Sequence, residues 1–528
     1  MARIKHDHDD SRCTTTTTHH QVPMPIQIDH PADSVIDDQP KIPRIRSSSN
    51  TKISPINNKE HEEVVMNNNH QPGHHHDHDE RIMINGSDLF LVLFITQILA
   101  ITVLTISLTI YTFMISPSHH RRPSFHPLHF YPPLLTSSAF SSLFAFAAQS
   151  SLSSRLSTLS YSSKLRRPIV AAFFLAPLSL LSFAILLLAI GSAASFAVAA
   201  LAIVASSILA LYSCWAAPRV PHAAKLISSS ALSSTDESNS TRRASSTKLA
   251  LSVALLVATA HSLLIVCAIA AATASRIGVQ FRTSFFLAIL LSLAWTMHVL
   301  RGLVHVHFAG IAFNCFTNNS QNTTVSARWS WWSTELLGVL CPSRACVGSV
   351  CIGAVVEPAI GAVRGAARAV GVVGGERDEF MFSCESWCSG VGREVVRYGN
   401  RWGYVGFGVS NKGFVGASME AWGMFEMRGM VRLIDKDLTG AICFMWGVTG
   451  GSLCALLGGS WALAVDRSYA FAVAVYAFLI GYFMARIGMA RPQACVSAYH
   501  VAYAEDSNNP RFDSTIPERM QELQRSQV

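Results

Sequence analysis

The sequence predicts an all-α fold: a polytopic integral membrane helix bundle of eight to ten spans behind a disordered N-terminal tail. Three observations predict it. Of 528 residues only 14% are charged and 50% are hydrophobic, with a mean hydropathy of +0.31. A soluble domain carries about 25% charged residues, so this chain lacks the charge to cover a water-facing surface. The apolar residues also stand in long uncharged blocks, and about 20 helical residues suffice to cross a hydrocarbon core about 30 Å thick. Residues 1–87, in contrast, hold eleven of the 21 histidines, a threonine run and no apolar periodicity. They cannot bury a core and are expected to be disordered. This composition excludes a soluble enzyme, a disulfide scaffold and a wholly disordered regulator.

The elements follow in order. Residues 1–87 form a histidine-rich cytosolic tail with a polar start and no signal peptide. His74, His75, His76 and His78 in that tail are metal-ligand types, but nothing around them fixes a geometry, and a solvated low-complexity run is the plainer reading. The transporter-sized region is 88–490. Residues 89–115 make the first span, and 134–149 a shorter, serine-rich one. Residues 168–218 carry no charge between Pro168 and Pro218 and suit two crossings hinged near Gly191 and Ser192. Further spans are expected at 249–275, 283–300, 438–465 and 469–485, the last two turning at Asp466 and Arg467. Residues 345–363 are a weaker candidate, interrupted by Glu357 and Pro358. Residues 491–528 are expected to be a cytosolic tail.

Loop charge orients the bundle. Arg155, Lys164, Arg166 and Arg167 lie in one loop, and Arg219, Lys225, Arg242, Arg243 and Lys248 in another, which puts the N-terminus in the cytosol. The arginines of 364–401 conflict with this if 345–363 crosses fully. Asn239, Asn318 and Asn322 head glycosylation sequons that this topology leaves on the cytosolic side. The twelve cysteines include Cys384 and Cys388, a lone pair without partner ligands, so free thiols are expected rather than a metal site or disulfides.

Four sets of residues carry potential chemistry. Glu357 is the one acid inside a candidate span. A carboxylate there costs roughly 2.5–3.5 kcal/mol on insertion scales and usually faces a cavity. Pro358 removes a helix hydrogen bond. The alternative is that 345–363 does not span and Glu357 lies at an interface. His298, Arg301 and His305 share a helical face; they either line a wet path or mark the cytosolic end of a helix with Arg301 snorkelling. His261 reads as a polar contact between helices. Trp295, Trp446 and Tyr476, with Trp461, lie inside spans, where aromatics mostly pack, although a quaternary ammonium is bound over such faces. The glycines of 438–465, Gly447 and Gly451 among them, permit close helix contact or an unwound stretch.

Asn400-Arg401-Trp402-Gly403-Tyr404-Val405, then Ser410-Asn411-Lys412-Gly413-Phe414, then Ala417-Ser418-Met419-Glu420-Ala421-Trp422, and finally Ala502-Tyr503-Ala504-Glu505-Asp506 form a series of motifs. It resembles the choline transporter-like family in its plant branch, loosely over about 168–515. Gly403 stands where that family usually has alanine, and Ser410-Asn411 where it has Tyr-Gly. The large outer loop of many animal members is absent. The resemblance implies about ten spans, both termini in the cytosol, and no cofactor.

The resulting expectation is a non-enzymatic carrier that moves choline or a related small organic cation by alternating access, in the plasma membrane or else an endomembrane. Trp295, Trp446, Tyr476, Tyr404 and Phe414 would hold the ammonium and Glu357 would supply counter-charge. Its partners are the lipid bilayer and that cation, with no nucleic acid; the oligomeric state is left open. The alternative is a non-transporting membrane scaffold or lipid-handling protein. An intramembrane hydrolase would need paired acids or a nucleophile–base pair, and no span holds two acids.

Overall fold

A computed structural model describes residues 74–115, 127–156, 161–232, 240–274, 279–317, 344–374, 394–410 and 412–525. The described residues contain helices and no strand. The long ones are α1 (His74–Ile115), α2 (Pro127–Leu156), α3 (Tyr161–Ile190), α4 (Ala193–Ala216), α6 (Ser240–Ala274), α7 (Val279–Thr317) and α8 (Arg344–Gly374), with α5 (Val220–Leu232) shorter. Then come α9 (Gly403–Ser410), α10 (Phe414–Met427), α11 (Val431–Asp435), α12 (Thr439–Val465), α13 (Arg467–Gly488), α14 (Ala490–Glu505) and α15 (Thr515–Arg525).

Among the described residues, eight helical stretches are long and apolar enough to cross a membrane. They are Gly86–Tyr111, Arg167–Ile190, Ala193–Ser230, Lys248–Thr273, Thr283–Thr317, Cys346–Val363, Val431–Val465 and Arg467–Gly488. Two differences from the sequence expectation matter. Residues 346–363 qualify, because the helix runs unbroken through Pro358. Residues 134–149 do not, because serines dilute their hydropathy; α2 is nonetheless packed against α6, α12 and α13. Its serines face protein: Ser138 and Ser262 of α6 share a hydrogen bond of 2.8 Å, and Ser137 donates to the Cys454 carbonyl of α12 at 3.3 Å. Such bonds glue helices where no hydrophobic force operates between them.

The hinge expected near 191–192 is present. Gly191 has φ +72°, a left-handed conformation that glycine takes at no steric cost. Ser192 then caps α4, accepting from the Ser195 amide at 3.1 Å while Ser195 Oγ accepts from the Ser192 amide at 2.9 Å. Pro177 inside α3 has no amide to offer the Phe173 carbonyl, and Ser213 of α4 donates to that carbonyl at 2.7 Å. At the same end of the molecule Asp466 caps α13 by accepting from the Ser468 amide. Arg467 Nε donates to the Ile190 carbonyl at 2.8 Å, tying the last turn of α3 to the first of α13.

The glycines of α12 serve packing, and the helix is continuous. A Cβ at Gly451 would meet the Phe478 carbonyl of α13 at 2.8 Å, and one at Gly459 the Ala474 Cβ at 2.8 Å. The outer helices α1 and α4 present Leu89, Val103, Leu201 and Leu211, all more than half exposed, as an apolar belt. Without lipid such a belt has no cover.

Three further expectations change. Helix α1 starts at His74, so helical structure begins before the expected tail boundary at 87. Residues 491–528 are not a loose tail: α14 is buried along nearly its whole length against α7 and α5, and α15 packs on α5 and α11. Cys214, Cys267, Cys315, Cys351, Cys443, Cys454 and Cys495 are free, but Cys346 is disulfide-bonded. The three sequons, the Cys384–Cys388 pair and the side chains of the histidine run lie outside the described residues.

Candidate functional site

Helix α7 is 39 residues long, about 58 Å at 1.5 Å per residue. It therefore continues well past the expected span end at residue 300. It meets α8 where both backbones are stripped of side chains. A Cβ at Gly302 would meet Val350 Cγ1 at 2.8 Å, and one at Gly353 would meet Tyr404 Oη at 2.7 Å. Beside this contact Arg301 is buried rather than snorkelling to water, with 7% of its side chain exposed. Its Nη2 donates to Glu357 Oε1 of α8 at 3.1 Å and to Gln493 Oε1 of α14 at 3.0 Å; Nη1 approaches Glu357 Oε2 at 3.5 Å. Glu357 keeps 20% of its side chain exposed, so the carboxylate sits at the rim of the cluster.

The row on α7 does share one face. His298 lies edge-on to Phe483 of α13, with centroids 5.6 Å apart. His305 packs on Tyr404 at 5.2 Å, and its Nε2 is buried without a hydrogen-bond partner. Tyr404 in turn stacks at 4.9 Å on Phe414. Its hydroxyl is buried between Gly302 and Gly353, beside the Glu357 carboxylate. His261 sits on α6 with its Nε2 buried and unpartnered.

The motif around residue 400 builds this side of the site. Asn400 Oδ1 accepts from the amides of Trp402 and Gly403 at 3.1 and 3.2 Å, which caps α9. Its Nδ2 donates to the carbonyls of Val396 and Ser418, both at 3.0 Å, which fixes α9 against α10. Arg401 forms an ion pair with Asp437, Trp402 packs edge-on to Phe425, and Gly403 lies against Ser418 Oγ so tightly that no Cβ fits. Glycine at 403 is thus matched to a serine across the contact. Tyr404 is what this scaffold delivers to Glu357.

Arg486, in the last turn of α13, completes the cluster. Its stem lies where a Cβ on Gly447 would touch it at 3.0 Å, and it is within Coulombic reach of Arg301, Glu357 and His298. Among the described residues it has no hydrogen-bond or ion-pair partner. Two fixed cations therefore face one carboxylate, and the cluster has a net positive charge when its histidines are neutral.

The expected site residues are distributed unevenly. Tyr404 and Phe414 stand together at the Glu357 cluster. Trp295 braces α7 on α8, its Nε1 donating to the Cys351 carbonyl at 3.4 Å, and lies edge-on to Phe94 of α1. Trp446 packs on Phe144 of α2 and lines a neighbouring cleft with Pro168, Cys443, Met489 and Pro492. Tyr476 is ten residues, about 15 Å of helix, from Arg486 on α13 and touches neither tryptophan's ring. Gln493 and Arg486 were not legible beforehand. Arg486 directly follows an apolar block, where a polar residue reads as the block's end, and Gln493 follows Arg491 and Pro492 in the segment expected to be a tail.

Residues 168–508, well over half of the chain, match a family model described as "Plasma-membrane choline transporter". Two strains of Cryptococcus neoformans var. neoformans serotype D hold a Protein PNS1 that is 31% identical over 101 residues, 18% of this chain and 18% of the relative. Protein PNS1 of Mycosarcoma maydis is 23% identical over 224 residues, 40% of this chain and 41% of the relative. The chain thus spans less than half the length of these curated relatives.

Proposed function

The chain belongs to the plasma-membrane choline transporter family, and on that premise we propose that it carries choline or a related organic cation by alternating access. The observation that carries this reading is the Arg301–Glu357 pair beside Tyr404 and Phe414. Glu357 is the one acid in the middle of a described span, and here its counter-ion is an internal cation, Arg301. An incoming ammonium competes with Arg301 for that carboxylate, while the two aromatic rings replace the water that its methyl groups lose. Each aromatic face returns about 0.5–2 kcal/mol to a desolvated cation. Exchange of one cation for the other gives the bundle two states with different ion pairing, which alternating access needs. Trp295 and Trp446 line the approaches in this reading. We further propose that the chain falls in the plant branch of the family and works in the plasma membrane; a tagged chain found only on internal membranes would correct the second proposal.

The test is uptake of labelled choline into vesicles carrying the purified protein. Parent protein should take up choline, and Glu357→Gln should abolish uptake in protein that is still membrane-inserted, with a lowered unfolding midpoint because Arg301 loses its carboxylate. Parent protein that inserts and folds but transports no choline, ethanolamine or related amine would sink the carrier reading and favour a scaffold or lipid-handling role.

A further inference from the structure

At the end of the molecule that loop charge assigns to the cytosol, a pocket lies between α5, α11, α14 and α15. Its polar lining is Arg219, His222, Lys436, Asp437, His500 and Arg519. Two independent features point to a ligand. The first is His500 on α14, fully buried, with no hydrogen-bond partner at either ring nitrogen among the described residues. Burying a polar group unpaired costs at least about 1–3 kcal/mol, so such a ring is expected to meet a partner at some stage. Burial pushes its pKa down to about 4, which leaves a neutral ring with one donor and one acceptor.

The second feature is the one-sided charge. Asp437 is already neutralised by Arg401 and accepts from Thr439 Oγ1 at 2.6 Å and from the Thr439 amide at 2.9 Å. The Lys436 ammonium has no hydrogen bond or ion pair among the described residues. Arg219 is placed only by the Trp215 ring, 3.6 Å from its guanidinium carbon. Arg519 gives one arm to Glu522 at 2.7 Å. Three cations therefore line a cavity whose one acid is spent on Arg401, and of the three Arg519 alone is paired among the described residues, with Glu522. Trp215 is exposed on lipid-facing α4, and such aromatics mark headgroup depth.

We propose that this pocket binds a phosphate monoester, carried either by a membrane lipid headgroup or by a small soluble molecule. The dianion meets the charges of Arg219, Lys436 and Arg519 and accepts the N–H of His500. Guanidinium and ammonium groups in this number suit a compact, multiply charged oxyanion better than a carboxylate or a phosphodiester. Asp437 and Leu438 lead directly into α12, so an occupant braces the start of the helix that carries Trp446 and Gly447.

The experiment uses the full-length protein in phosphatidylcholine nanodiscs, with the thermal midpoint and a binding titration as readouts. One arm adds phosphatidic acid to the bilayer, a second adds phosphatidylserine as an anionic phosphodiester, and a third adds glycerol phosphate to the buffer. The midpoint should rise with phosphatidic acid or with glycerol phosphate and not with phosphatidylserine; which of the two raises it identifies the source. Arg219→Gln combined with Lys436→Gln, both at water-accessible positions that the fold tolerates, should weaken binding roughly tenfold or more, as loss of charge-assisted hydrogen bonds does. His500→Gln, which keeps a donor, should weaken it less. No rise in either monoester arm overturns the proposal. So does an equal rise with phosphatidylserine, or a rise that the double variant leaves unchanged.

Discussion

Removing one member of the Arg301–Glu357 pair strands the other charge among apolar helices, whereas removing both does not. Breaking such a pair costs about 3–5 kcal/mol, while a hydrophobic replacement of both partners is often neutral. Arg301→Met should therefore lower the unfolding midpoint in detergent strongly, and the double change Arg301→Met with Glu357→Leu should restore much of it. A double variant no more stable than the single one would show that the carboxylate is not the partner that matters. Tyr404 separates stability from transport in another way. Its hydroxyl is buried beside the Glu357 carboxylate, so Tyr404→Phe should lower stability by no more than the about 1.5–3 kcal/mol of one hydrogen bond to a charged group. If that hydroxyl faces the substrate, the same variant should raise the KM for choline several-fold; an unchanged KM would remove Tyr404 from the path. Glu357 was legible in the sequence because an acid in an apolar run is costly, although an interfacial position for 345–363 stayed open there. Arg301 was visible, but its burial was not: a basic residue near the end of a hydropathy window reads as an anchor until the helix is seen to continue.

The C-terminal elements are held by a small polar junction. Asp513 accepts from Tyr499 Oη of α14 at 2.6 Å, from Ser229 Oγ of α5 at 2.6 Å and from Thr515 Oγ1 at the start of α15 at 2.7 Å. Burial alone raises its carboxyl pKa, but these donors outweigh burial and hold it below the ordinary carboxylate range. A depressed folded value means the contribution is present above the unfolded pKa of about 3.9 and is lost as pH falls through the folded one. Asp513→Asn should thus cost about 1 kcal/mol at neutral pH, with its difference from the parent vanishing in strong acid. A difference that persists there would mean the site acts by packing. Among the spans, the 168–218 pair was legible down to its hinge because glycine, a capping serine and an absence of charge coincide. Residues 134–149 fall short in hydropathy and 346–363 pass with an acid inside, because hydropathy measures fitness for lipid alone. Helix α2 is half wrapped in protein and so can afford serines, while α8 hides its carboxylate on Arg301.

The loop charges that orient the whole bundle make a prediction at its own scale. A cysteine placed at either terminus should resist an impermeant thiol reagent on intact cells, and labelling of one end alone would mean an odd number of crossings. Nothing in composition foretold which helices travel together. Arg467 fastens the end of α3 to the start of α13, and α12 is pressed onto α13 and α3 through its glycines. With α2 and α4 these helices make one tightly keyed half; α1, α6, α7 and α8 make another, and α13 meets α6 and α7 more sparsely. Under the proposed alternating access, the Arg467 clasp acts as a rivet between α3 and α13 and favours motion along the seam where Arg486 faces Arg301. A cysteine crosslink between α12 and α13 should leave choline uptake intact, and one between α7 and α13 should stop it. The reverse result would place the moving joint inside the half that the rivet closes.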